Sequence, residues 1–198
     1  MTKYLLISIQ PQHVYNILIG NKTRELRKKI PNWVWEAITK GETVKVLIYC
    51  TKAKDFLHKT QNDILNQYPK TPRFYLSPDP IVDGFDIING YVVAQFELNK
   101  IRYVYESVDK QDEYGNAYED IEIEEDFDIQ KACITYKELS RYSHKGNIQV
   151  WAMYIENLKV FDNPKKLTDY YKNWYRGQFY TQTLTMAPQN MMQVLGDE

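Results

Sequence analysis

The chain has 198 residues, 43% hydrophobic and 26% charged, with a formal net charge of −1. That is long enough to bury a proper core within one globular domain. No apolar run approaches the roughly 20 residues that a bilayer-spanning helix needs, and residues 1–10 hold no small-residue cleavage site, so a cytosolic protein without a secretory signal is expected.

Residues 4–9 read as a strand, apolar on both faces. Pro11 is placed to open a helix carrying Val14, Ile17 and Leu18, which Gly20 closes. Lys22-Thr23-Arg24-Glu25-Leu26-Arg27-Lys28-Lys29 follows, with five basic side chains and one acidic. If residues 23–28 are extended, Thr23, Glu25 and Arg27 share one face and Leu26 points the other way, toward a core. A carboxylate and a guanidinium then lie side by side with lysines at both ends. Such an edge suits a polyanion or a polar base; it also suits a plain surface strand with one ion pair.

Asn32 is predicted to cap a second helix carrying Trp33, Val34, Ala37 and Ile38, which stops at Gly41. Residues 43–50 read as a strand with Val44, Val46 and Ile48 on one face. The spacing of Phe56, Leu57, Ile64 and Leu65 predicts a helix over 54–67. Four of the eight prolines follow at 69, 72, 78 and 80, which marks a loop. Residues 91–98 alternate as a strand, with Val92, Ala94, Phe96 and Leu98 inward. The segment 106–128 is acidic, with a turn at Tyr114-Gly115-Asn116.

Thr135 and Glu138 form a capping box that opens a helix to about Tyr142. Residues 148–158 read as one long strand containing Trp151, and Asn163-Pro164 as the start of a last helix with Leu167, Tyr170, Tyr171 and Trp174 on one face. From Gly177 the chain reads as a polar tail. Short strands broken by short helices give an α+β domain around a curled sheet or small barrel.

The net charge conceals an asymmetry. The segment 106–128 carries eleven acidic residues against one lysine, a charge of −10, so the remaining 175 residues carry +9. A basic body favours anionic partners. Cys50 and Cys133 make no metal pattern and are expected as buried free thiols, and His13, His58 and His144 are scattered, so neither a metal nor a cofactor is expected.

Several ordered segments resemble a known family. They are the strand LLISI, the Pro-led helix ending in Gly20, and a G-x-K-x-x-E-x-R motif formed by Gly20, Lys22, Glu25 and Arg27. Lys40-Gly41 and the strand VKVLIY come next, then GYVVAQFELNKI and VWAMYIENLKVFDNPKKL, and more weakly Ala187-Pro188-Gln189. Together they resemble the ASCH family, whose members have a PUA-like small mixed β-barrel with flanking short helices, and the ending resembles that of phage and bacterial members. The resemblance covers about 4–51 and 84–172, with weaker support at 185–194. On this basis residues 1–198 form a single domain, 52–83 and 106–128 are insertions, and 177–198 is a C-terminal tail.

The resemblance implies a basic cleft that binds RNA or a modified nucleotide, formed by Lys22, Arg24, Arg27, Lys28 and Lys29, in a bacterial cytosol or a phage-infected host. Tyr49 and Trp151 lie on strands that the family places near this cleft. Some similar proteins are amidohydrolases on acylated cytidine, and others ribonucleases; here Lys22 and Glu25 would carry the catalysis, with Glu25 standing where the hydrolases have threonine. Five cations around Glu25 favour the ionised carboxylate and so favour binding over general-base work. A third reading makes the chain a phage-type regulator that docks on a nucleic-acid-processing protein through 106–128, with Ile121, Ile123 and Phe127 as apolar anchors. No membrane partner is expected.

Overall fold

A computed structural model describes residues 2–111, 113–174 and 180–196. It is mixed α+β and mostly sheet. In chain order the first elements are β1 (Thr2–Ile9), α1 (Pro11–Leu18), β2 (Arg24–Arg27), α2 (Asn32–Thr39) and β3 (Val44–Cys50). Next come β4 (Phe56–Thr60), α3 (Asn62–Gln67), β5 (Phe74–Ser77), β6 (Phe85–Ile87), β7 (Val92–Leu98) and β8 (Ile101–Tyr103). A hairpin of β9 (Tyr105–Gln111) and β10 (Ala117–Ile123) follows, then a 3₁₀ turn (Ile129–Ala132) and α4 (Tyr136–Tyr142). The chain continues through β11 (Trp151–Tyr154), β12 (Glu156–Lys165), a second 3₁₀ turn (Leu167–Asp169), β13 (Tyr171–Trp174), β14 (Tyr180–Thr183) and β15 (Met191–Gly196). No helix among the described residues is long and apolar enough to cross a membrane.

The chain forms two compact units. The first comprises Met1–Gly20, Val44–Glu97 and Asn157–Glu198, and the second Asn21–Thr43 and Leu98–Glu156.

The first unit is built on a seven-stranded sheet in the order β12-β7-β3-β1-β15-β13-β14. β1 runs parallel to β3 and antiparallel to β15. Leu5, Leu6 and Ile7 are buried on consecutive positions, as a central strand covered on both faces requires. Each such side chain contributes about 2 kcal/mol of transfer free energy. In α1 the stripe of Pro11, Val14 and Ile17 is buried, and Gly20 leaves the helix at φ +83, where a side chain would strain the backbone.

Four sequence expectations fail in this unit; the first is the proline-marked loop, which contains β5 at Phe74–Ser77. Residues 56–60 are a strand, the centre of a small sheet ordered β5-β4-β6, and only Asn62–Gln67 is helical. Leu57, His58, Lys59 and Thr60 are buried in succession, and pairing on both edges outweighs the weak helical periodicity. Asn89 secures this strand: its Oδ1 accepts from the Leu57 amide at 2.7 Å, and its Nδ2 donates to the carbonyls of Asp55 and Thr51. The helix expected from Asn163-Pro164 is absent as well. Those two residues lie in β12, at the sheet edge where proline is tolerated, and Leu167–Asp169 makes only a 3₁₀ turn before β13. Tyr170 is buried there, its ring edge-on to Tyr4 at 6.4 Å. Lastly, Met191–Gly196, read from sequence as polar tail, is the antiparallel neighbour of β1. Gly177 itself lies outside the described residues.

In the second unit β11 lies between β2 and β8, antiparallel to both. Its core gathers Leu26, Ala152 and Tyr154 from this sheet with Val104, Tyr105, Ile121, Phe127, Ala132, Leu139 and Val150. The Thr135–Glu138 capping box is present in full, each side chain bonded to the other's backbone amide. Asn32 is the first residue of α2 rather than its cap; Pro31 occupies that position. The long strand expected over 148–158 is two strands. The Ile155 amide donates to the Thr23 carbonyl between them, and Asn157 takes a left-handed φ of 47°. Among the described residues no ladder closes on itself into a barrel.

Both cysteines are free, but only Cys50 is buried, and burial pushes its thiol up to about 12. Cys133, expected buried, is partly exposed.

Candidate functional site

The local geometry of β2 follows from its neighbours. Thr23 is tied at both backbone groups, its amide to Lys131 and its carbonyl to Ile155. Leu26 enters the core cluster, which fixes the register of the strand. Arg27 then stands opposite Trp151, Leu26 opposite Ala152, Glu25 opposite Met153 and Arg24 opposite Tyr154.

Glu25 and Lys22 are 6% and 4% exposed. The Lys22 ammonium donates to the Ala132 carbonyl at 2.7 Å and lies 3.5 Å from Oε2 of Glu25. Nη2 of Arg27 lies 3.0 Å from Oε1 of the same carboxylate. One buried carboxylate therefore holds two cations, one at each oxygen. Desolvating these groups is costly, and the cluster persists because each charge faces an opposite charge or a dipole. The side-by-side placement of Glu25 and Arg27 read from alternation is what the strand produces.

The other basic residues disperse. Arg24 turns to the opposite side of the strand, where its guanidinium carbon sits 3.7 Å above the Tyr154 ring and Nη1 donates to the Thr23 carbonyl and hydroxyl. Lys28 lies over the Tyr142 ring at 4.6 Å, and Lys29 is exposed. Burial pushes the Tyr142 hydroxyl above the ordinary phenol range; Arg27 opposes that shift and Glu25 adds to it. Tyr142 thus stays a neutral hydroxyl beside the ion cluster at physiological pH.

Trp151 is half-buried, with its ring 4.9 Å from Trp35 at 75° and 5.2 Å from Tyr103 at 52°. Burial, followed by Glu106 and Glu124, pushes the Tyr103 hydroxyl up. Neither Trp35 nor Tyr103 is among the residues expected at the cleft. The alternation of Ile101 and Tyr103 around Arg102 was the available signal for Tyr103. Tyr49 belongs to the first unit, buried among Tyr4, Leu6, Leu47 and Tyr170, with its hydroxyl pushed up first by burial and then by Cys50.

The acidic segment forms the β9–β10 hairpin, with Glu106 directly opposite Glu122 in its register. Asp120 is bound by Lys110 at 3.2 Å and by the Tyr136 hydroxyl at 2.7 Å. The apolar anchors expected for a partner are not available on this segment. Ile121 and Phe127 are buried in the core of the unit, and Ile123 packs against it. They belong to folding, because they pack with Val104, Tyr105, Leu139 and Val150 in that core.

No protein-family model, no curated protein and no solved structure matches the chain.

Proposed function

We propose that the second unit binds a nucleic acid or nucleotide through its phosphate, with Arg27 as the principal contact and Lys28 and Lys29 extending the positive field. The observation that supports this most is the 3.0 Å pairing of Arg27 with a buried Glu25. A guanidinium oriented before its ligand arrives loses little freedom on binding, and its planar fork matches the geometry of a phosphate. Lys22 serves as a positioning residue, because its ammonium is engaged by the Ala132 carbonyl and by Glu25. Both contacts would have to break before that amine could attack a substrate, so we read the site as one for binding without turnover. The ASCH resemblance supports the same ligand class, RNA or a modified nucleotide, and on this reading the chain is a divergent member with a PUA-like ancestry.

The test is a salt titration. Binding of a fluorescein-labelled 12-nucleotide RNA, followed by anisotropy, is expected to weaken about tenfold between 50 and 200 mM salt, as a few phosphate contacts to a single strand imply. Absence of binding at the lower salt, or binding indifferent to salt, would refute the reading.

A further inference from the structure

We infer that this unit recognises an unpaired base adjoining the phosphate, through an aromatic row that continues the line of Arg27; the inference rests on the function proposed above. Arg27, Trp151 and Tyr103 are cross-strand partners on β2, β11 and β8. Directly opposed residues of antiparallel strands leave the sheet on the same face, at the interstrand spacing of about 4.8 Å. Neighbours along each strand alternate, so Leu26 and Ala152 take the other face, where they join the core. The row therefore reads cation, indole, phenol across three strands.

Trp35, from α2, closes on Trp151 at 4.9 Å, so the indole has two aromatic neighbours. All three rings are half-buried, which fixes them in place and leaves part of each at the surface. Trp151 meets Trp35 edge-on and Tyr103 at a tilt, so neither neighbour lies parallel to the indole, and a base stacked on an exposed ring face would meet the edge of the next ring. A base inside a duplex is already stacked on its neighbours and cannot enter such a wall. An unpaired base can, and stacking tolerates any sequence because every base has a π-face. The ligand chemistry is thus a phosphate followed by an accessible base, found both in single strands and in free nucleotides.

The experiment compares four probes at low salt: a 12-nucleotide single-stranded RNA, its duplex, an abasic oligomer of the same length and charge, and uridine monophosphate. Each is measured with the full chain and with Trp151→Ala, and circular dichroism checks the fold. If Trp151→Ala does not fold, Tyr103→Leu replaces it. The single strand is expected to bind about tenfold more tightly than the duplex or the abasic oligomer, and the substitution to erase that difference while sparing abasic binding. Uridine monophosphate binding within tenfold of the single strand supports free nucleotides as the source, and much weaker binding supports strands. Equal affinity for the single strand, duplex and abasic oligomer would overturn the base row and leave phosphate binding standing. Failure of every probe to bind would overturn both.

Discussion

Arg27 and Trp151 face each other across the β2–β11 ladder, the guanidinium held by Glu25 and the indole by Trp35 and Tyr103. Each side chain is fixed by groups other than the opposite member of this pair. The pair thus offers a charge and a ring at a set spacing. That arrangement follows from a single register, which Leu26 enforces by entering the core.

The ion cluster beneath this pair has a direct consequence for stability. Glu25→Gln keeps the side-chain volume and removes the charge, leaving Lys22 and Arg27 without their common carboxylate. It is expected to cost about 3–5 kcal/mol, as breaking a buried ion pair from one side does. Urea unfolding of the variant measures this; a loss below about 1 kcal/mol would mean that both cations find other partners.

Asn89 governs the small sheet of the first unit. Asn89→Ala removes three hydrogen bonds to backbone groups of Thr51, Asp55 and Leu57. Leaving the buried Leu57 amide unsatisfied is expected to cost about 1–3 kcal/mol. Amide exchange should quicken in β4 first, and uniform protection in the variant would argue against the clamp.

Alkaline pH tests the first core. The Cys50 thiol ionises near 12 in the folded chain, against an ordinary value of 9.0, because burial disfavours the thiolate. Its folded value is raised, so the stability it confers is complete below about pH 9 and is lost as pH climbs toward 12. Burial shifts the Tyr170 hydroxyl in the same direction. Stability measured from pH 8 to 11 should fall, and Cys50→Ala should flatten the decline. At pH 8 iodoacetamide should modify the partly exposed Cys133 and spare Cys50.

Much of this was legible in the residues. β1 is a continuous apolar run, and β7 alternates with Val92, Ala94, Phe96 and Leu98 buried as its pattern implies; β3 was legible as a strand, although Leu47, Tyr49 and Cys50 are buried beside Val44, Val46 and Ile48. Pro11, Gly20 and the Thr135–Glu138 box bound α1 and α4 by backbone chemistry that acts over four residues. β4 was misread because Phe56 and Leu57 stand at helical spacing from Ile64 and Leu65, which belong to a separate helix; its true partners lie in β5 and β6. β12, β13 and β15 were misread for a related reason: their pairings depend on strands distant in sequence, and the Asn-Pro step imitates a helix start. At the site, Glu25 and Arg27 follow from simple alternation. The reach of Lys22 to the Ala132 carbonyl, 110 residues away, does not.

The most direct test of the central claim is the affinity of the 12-nucleotide RNA for Arg27→Ala and Arg27→Lys, each shown by circular dichroism to be folded. Arg27→Ala should weaken binding about tenfold and lower the salt dependence by one phosphate contact, with Arg27→Lys recovering part of the loss because it keeps the charge without the planar fork. If both variants bind as tightly as the native chain, with unchanged salt dependence, Arg27 does not hold the phosphate and the assignment of this unit fails.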